Sequence, residues 1–150
     1  MTVDRALFEF IAEAVAAAEV DSPLYEANIR DTEFDKLDDD KGICIPDSEA
    51  EVAPLPGGEE AQEFNAEVPL VFYVRIPKDD WDKRANYRDQ ATMMALKLSI
   101  LFFNDPLMGL RVNDSRALRV RRGYKNLKSD WYAVANLDVI INDTGQQIGG

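Results

Sequence analysis

From Val3 to Ala18 apolar residues recur at three- and four-residue spacing, as Val3, Leu7, Phe10, Ile11, Ala14, Val15 and Ala18, with Glu9, Glu13 and Glu19 opposite. That period predicts an amphipathic helix, with Thr2 as its N-cap and Ser22-Pro23 as its stop. Residues 24–30 and 42–46 read as short strands. At Val68 the period changes to two. Val68, Leu70, Phe72, Val74 and Ile76 fall on one side of an extended chain that ends at Pro77, which is the signature of a strand. Lys78-Asp79-Asp80 then offers an acidic helix start. Tyr87, Ala91, Met94, Leu98, Leu101 and Phe102 form the stripe of a second helix reaching about Phe103. Its last two turns are apolar nearly all round, which predicts burial on more than one side. Asn104-Asp105-Pro106 breaks it, and Asp105, Pro106 and Gly109 mark a structural turn.

Two further alternating runs follow. Residues 117–124 set Leu118 and Val120 against Arg119 and Arg121. Residues 131–141 set Trp131, Ala133, Ala135, Leu137, Val139 and Ile141 against Tyr132, Asn136 and Asp138. A connection over residues 125–130 joins them as an antiparallel hairpin. Runs of strands with only two helices predict an α+β fold, a mostly antiparallel sheet with both helices packed on one face. Residues 1–142 form a single domain in this scheme, and residues 143–150, which end in two glycines, form a flexible tail.

Charge changes this picture in one place. The 150 residues carry 17 Lys and Arg against 28 Asp and Glu, a net charge of −11. Residues 1–30 sum to −4, residues 31–67 to −11 and residues 68–150 to +4. In residues 31–67 only Phe34, Leu37, Ile43, Ile45, Val52, Leu55 and Phe64 are large aliphatic or phenyl side chains, too few to offset ordering. That segment reads as a long acidic loop or hairpin excursion from the core. Its complement is residues 111–128, where seven cations face Asp114 alone, a sum of +6.

The chain has no histidine, so serine or cysteine triads and histidine-ligated zinc are excluded. The single Cys44 cannot form an intrachain disulfide, as expected of a protein made in a reducing cytoplasm. The first residues lack the basic start and apolar stretch of an export signal, and no apolar run approaches membrane-spanning length, so no membrane partner is expected. Asp38-Asp39-Asp40 lacks the alternate spacing of a calcium loop, and Asp79, Asp80 and Asp82 suit a helix N-terminus without further chemistry. Gly57-Gly58 stands outside any nucleotide-binding context and reads as a turn. Trp131 reads as a strand core residue and Trp81 as a helix-start anchor. No nucleophile, base and cleft can be assembled, so neither an enzyme nor a cofactor is expected.

The basic segment has two readings. Arginines beside Tyr124 suit phosphate, which would make the chain a nucleic-acid-binding accessory protein. The overall acidity opposes that, and the acidic segment of a neighbouring copy offers the same arginines a partner. On the second reading Asp38, Asp39 and Asp40 meet Arg116, Arg119, Arg121, Arg122 and Lys125 across a subunit interface.

The run Val68-Pro-Leu-Val-Phe-Tyr-Val-Arg-Ile-Pro77, the helix ending in Asn104-Asp-Pro-Leu-Met-Gly109, and the strand Tyr132-Ala-Val-Ala-Asn-Leu-Asp-Val-Ile-Ile141 together resemble the tail terminator family of long-tailed bacteriophages. Head-completion and tail-completion proteins share this outline. The acidic 31–67 segment has no counterpart in that resemblance. What it implies is an architectural role. A homo-oligomeric ring, typically a hexamer, caps the tail tube, stops its polymerisation and presents the surface for the head connector or neck protein. Its place is the head-proximal end of the virion tail. Genomic DNA passes through such a ring without specific binding.

Overall fold

A computed structural model describes residues 3–31, 39–46, 50–54 and 62–144. Helix α1 (Val3–Ala17) is followed by strands β1 (Asn28–Arg30), β2 (Lys41–Cys44), β3 (Ala50–Pro54) and β4 (Gln62–Ile76). A 3₁₀ helix (Lys78–Lys83) leads into α2 (Arg84–Asn104), and β5 (Asp114–Leu127) and β6 (Asp130–Thr144) complete the fold. The strands form one sheet in the order β1-β2-β4-β6-β5, with β3 beside the first part of β4. Among the described residues β1–β2 is the one parallel pair. The fold is α+β.

The period-two run places the core. Val68, Leu70, Phe72, Val74 and Ile76 are all buried, as are Ala135, Leu137, Val139 and Ile141 beside them on β6. Both helices cover this face. Leu7, Phe10 and Ile11 of α1 and Ala91, Met94, Ala95, Leu98 and Phe102 of α2 join the same cluster, with the Phe10 and Phe102 rings 5.2 Å apart. Each large side chain so buried contributes about 1.5–3 kcal/mol, which is why the alternation on β4 and β6 dictates where the helices lie.

The opposite face is only partly covered. Cys44, Val71, Tyr73, Tyr132 and Val134 form a second, smaller cluster there. Gly42 makes this possible, because a Cβ at that position would collide with the Tyr73 ring and with the Asn28 carbonyl.

Several expectations are corrected. Residues 31–67 are not wholly an excursion: Ile43, Cys44 and Ile45 are buried, and β4 begins at Gln62 rather than Val68. The strand expected over 24–30 is confined to Asn28–Arg30, because residues 20–26 turn to bring β1 beside β2. The last turns of α2 are buried on one side only, since the sheet supplies a single apolar layer against it. Trp131 is 41% exposed and packs 5.0 Å from Trp81 at the sheet's end. The sheet extends past residue 142: β6 runs to Thr144, with Asp143 buried. Thr2, Asp38, Gly57-Gly58 and residues 145–150 lie outside the described residues.

The hairpin is also tighter than its sequence suggests. Strands β5 and β6 pair to Leu127 and Asp130, leaving Lys128 and Ser129 as a two-residue turn with φ of 52° and 72°. Right-handed strand twist demands left-handed residues in such a turn, and neither Lys nor Ser favours that region. Replacing Lys128→Asn and Ser129→Gly therefore stabilises the protein by about 1 kcal/mol per site. The check is thermal unfolding, where the double variant melts several degrees above the wild type.

Candidate functional site

The open face of the sheet concentrates charge that the alternation places there. Asp138, opposite Pro69 on β4 and Arg119 on β5, is 2% exposed. Arg119 Nη1 donates to its Oδ2 and Arg121 Nη2 to its Oδ1, each at 3.0 Å. One carboxylate thus holds two guanidiniums, and Glu67 stands 3.6 Å from Arg119. Asn65, Glu67, Pro69, Ile140 and these three residues line a shallow groove of about 590 Å³. Both arginines are more than half exposed, so the pairs orient side chains more than they stabilise the fold.

Of the acids expected to meet the basic segment of a neighbouring copy, Asp39 and Asp40 have partners within the chain, and Asp38 lies outside the described residues. Asp39 accepts from the Tyr73 hydroxyl at 2.5 Å and from Arg30 Nε at 3.0 Å. Asp40 pairs with Arg75 Nη1 at 3.2 Å, and Arg75 Nη2 reaches Asp130 at 3.0 Å. These contacts fold residues 39–41 over the second cluster. Burial, reinforced by the Asp39 carboxylate, pushes the Tyr73 phenol well above its ordinary value of 10. Burial also raises Tyr132, and the hydrogen bond to Asp80 raises Tyr87. Asp79 and Asp80 open the 3₁₀ helix, where Asp80 receives that Tyr87 hydroxyl. Arg116 and Arg122 are exposed on β5 and, among the described residues, make no ion pair; Lys125 is exposed opposite Tyr132.

Arg111 leaves the basic set for a structural role. It donates through Nε to Glu9 at 3.3 Å, pairs with Glu13, and donates through Nη1 to the Met108 carbonyl at 3.0 Å. That ties α1 to the turn after α2. In the turn, the Gly109 N–H donates to the Asp105 carboxylate at 3.0 Å. Met108, Gly109 and Leu110 all have positive φ, and at Gly109 a side chain would also meet the Arg111 guanidinium. Pro106 offers its carbonyl to the buried Ser115 hydroxyl at 2.7 Å.

The outer side of α2 carries a second apolar stripe. Met93, Leu96, Ile100 and Phe103 are exposed by 52%, 42%, 53% and 85% at spacings of three and four. Leu107 and Leu110 continue it onto the turn. Exposed apolar side chains in a row, rather than scattered singly, mark an interaction surface. Between this stripe and the start of β5 runs an open groove of about 440 Å³, lined by Ile100, Phe102, Phe103, Pro106, Arg116 and Ala117. Among the described residues no group of three or more Cys, Asp or Glu is placed to hold a metal.

Sequence reasoning singled out Arg119 and Arg121 but missed Asp138 and Glu67 as their partners, and it singled out Asp39 but missed Arg30 and Tyr73 as its partners. The available signal was Asp138, the lone acid within residues 131–141, which faces two arginines once the hairpin is closed. The irregularity between Ala117 and Arg119 hid that register.

Two outcomes test these networks. Asp138→Asn weakens both pairs with these half-exposed arginines and costs about 1 kcal/mol or less, read as a small fall in the urea midpoint. The raised tyrosines keep their protons longer in the native state than in the unfolded chain. Their stabilisation is therefore full below pH 10 and is lost as pH rises through the folded values. Urea unfolding between about pH 9 and about pH 11.5 shows this as falling stability, and Tyr73→Phe lessens the slope. Compared with known proteins, the chain matches no family model and no curated protein.

Proposed function

We propose that the chain is a ring-forming virion structural protein of the tail-terminator kind, which caps a tail tube and presents the surface that receives the head connector. The second apolar stripe on α2, running through Met93, Leu96, Ile100 and Phe103, carries this reading. A helix with apolar side chains on both sides needs a layer on both sides, and the described residues supply one. The grooves described are shallow and open, which suits surfaces that meet other proteins. The resemblance of the strand, turn and hairpin sequences supplies the kind of assembly.

The nucleic-acid alternative finds less support. Three of the seven cations in residues 111–128, Arg111, Arg119 and Arg121, are paired with acids of the same chain. A filter-binding titration in low salt is expected to show no retention of duplex DNA, and retention abolished by Arg122→Glu would favour the alternative.

The assembly itself is tested by light scattering with and without tail tubes. The expected mass is several times the 16.9 kDa of one chain, and Ile100→Ser with Phe103→Ser returns it to one chain with an unchanged circular dichroism spectrum. A wild type that stays monomeric even with tubes present overturns the proposal.

A further inference from the structure

The two tryptophans of the chain meet at one end of the sheet. Trp81 of the 3₁₀ helix has its ring centroid 5.0 Å from that of Trp131, at the start of β6, and 6.1 Å from that of Tyr124 on β5. Two guanidiniums lie over these rings: Arg84 Cζ stands 4.8 Å from the Trp81 centroid and Arg88 Cζ 5.7 Å from the Tyr124 centroid. Arg122 is a third. It pairs with Ala135 as Tyr124 does with Ala133, which puts Arg122 two residues from Tyr124 on the same side of β5, exposed.

A cluster that only sealed the end of the sheet would bury its indoles and pair its cations. This one does neither. Trp81 and Trp131 remain 40% and 41% exposed. Arg84 donates through Nη1 to the Trp81 carbonyl at 3.0 Å, and beyond that bond the three guanidiniums pair with no described acid and donate to no other described group. The chemistry still wanted is therefore specific: negatively charged acceptors for the guanidiniums, and an apolar surface against the indoles. Tryptophan, tyrosine and arginine are the residues that anchor protein interfaces for this reason. A nucleic-acid strand also supplies anions and flat rings, but its closely spaced phosphates would meet Asp79, Asp82 and Asp89 as well, which are exposed and adjoin the cluster in sequence. A protein segment with one or two carboxylates reaches the guanidiniums without that repulsion.

We propose that this cluster is a docking site for a segment of another protein in which carboxylates flank an apolar or aromatic side chain. The carboxylates take Arg84, Arg88 and Arg122, whose planar forks match them, and the apolar side chain lies on Trp81 and Trp131. The site is separate from the exposed apolar stripe of α2: it stands at the start of that helix, and the stripe begins at Met93. It holds whether or not the chain assembles as proposed above.

Indole fluorescence of the full chain tests the site directly, because both of its tryptophans are here. The probe is a short amidated peptide with glutamates on either side of a phenylalanine, and the control carries glutamines in their place. The acidic peptide is expected to shift the emission saturably with a Kd of about 0.1–1 mM, and the glutamine peptide to bind about tenfold more weakly or not at all. Arg122→Glu and Arg84→Gln each weaken the acidic peptide about tenfold, with circular dichroism spectra unchanged. An acidic peptide without effect at about 10 mM, equal responses to the two peptides, or a response that both variants leave intact overturns the proposal. Quenching by a short oligothymidylate at lower concentration than the peptide overturns it in favour of a nucleic acid. An emission shift on raising the protein concentration alone overturns it in favour of a second copy.

Discussion

Everything in this fold depends on the antiparallel pairing of β4 with β6, registered without interruption from Glu63–Thr144 to Ile76–Trp131. Two strands of this length align two period-two patterns, and a slip by one residue would turn both apolar rows to water. The helix-side row, from Val68 to Ile76 and from Ala135 to Ile141, then gives α1 and α2 one layer to cover. The remaining strands are additions to this pair: β2 and β3 share the free edge of β4, and β5 takes that of β6.

Charge is settled locally in a way that leaves the net value misleading. Arg111 spends its charge on Glu9 and Glu13, Arg119 and Arg121 on Asp138, and Arg30 and Arg75 on Asp39 and Asp40. Asp39 and Asp40 of the acidic segment and Arg111, Arg119 and Arg121 of the basic one thus have partners elsewhere in the chain. What remains includes Arg116 and Arg122, exposed along the open edge of β5. The exposed stripe of α2 lies beside that edge, so apolar and charged demands for a partner converge on one region.

The helices and long strands were legible because their periods are unambiguous. The five alternating residues from Val68 and the helical spacing from Val3 admit one reading each. The acidic run at Asp38, Asp39 and Asp40 was legible only as charge. The destination of Asp39 depended on Tyr73 and Arg30, remote in sequence and brought close by β4 and β1. The same holds for Asp138: its neighbours across the sheet come from a hairpin register altered by a bulge and closed by Lys128 and Ser129, residues that do not announce a tight turn.

Sequence periodicity by itself determined the fold class, the core face of β4 and β6, and the two helices, because burial of alternating or helical rows is a local property of the chain. Only the tertiary structure decided which side of α2 stays exposed. Both of its sides are apolar, and the choice depended on where the sheet lay. It also decided which charges are spent and which edges stay open, because pairing across a sheet depends on register between residues far apart in the chain. The exposed stripe, on which the proposed assembly turns, belongs to that second kind of information.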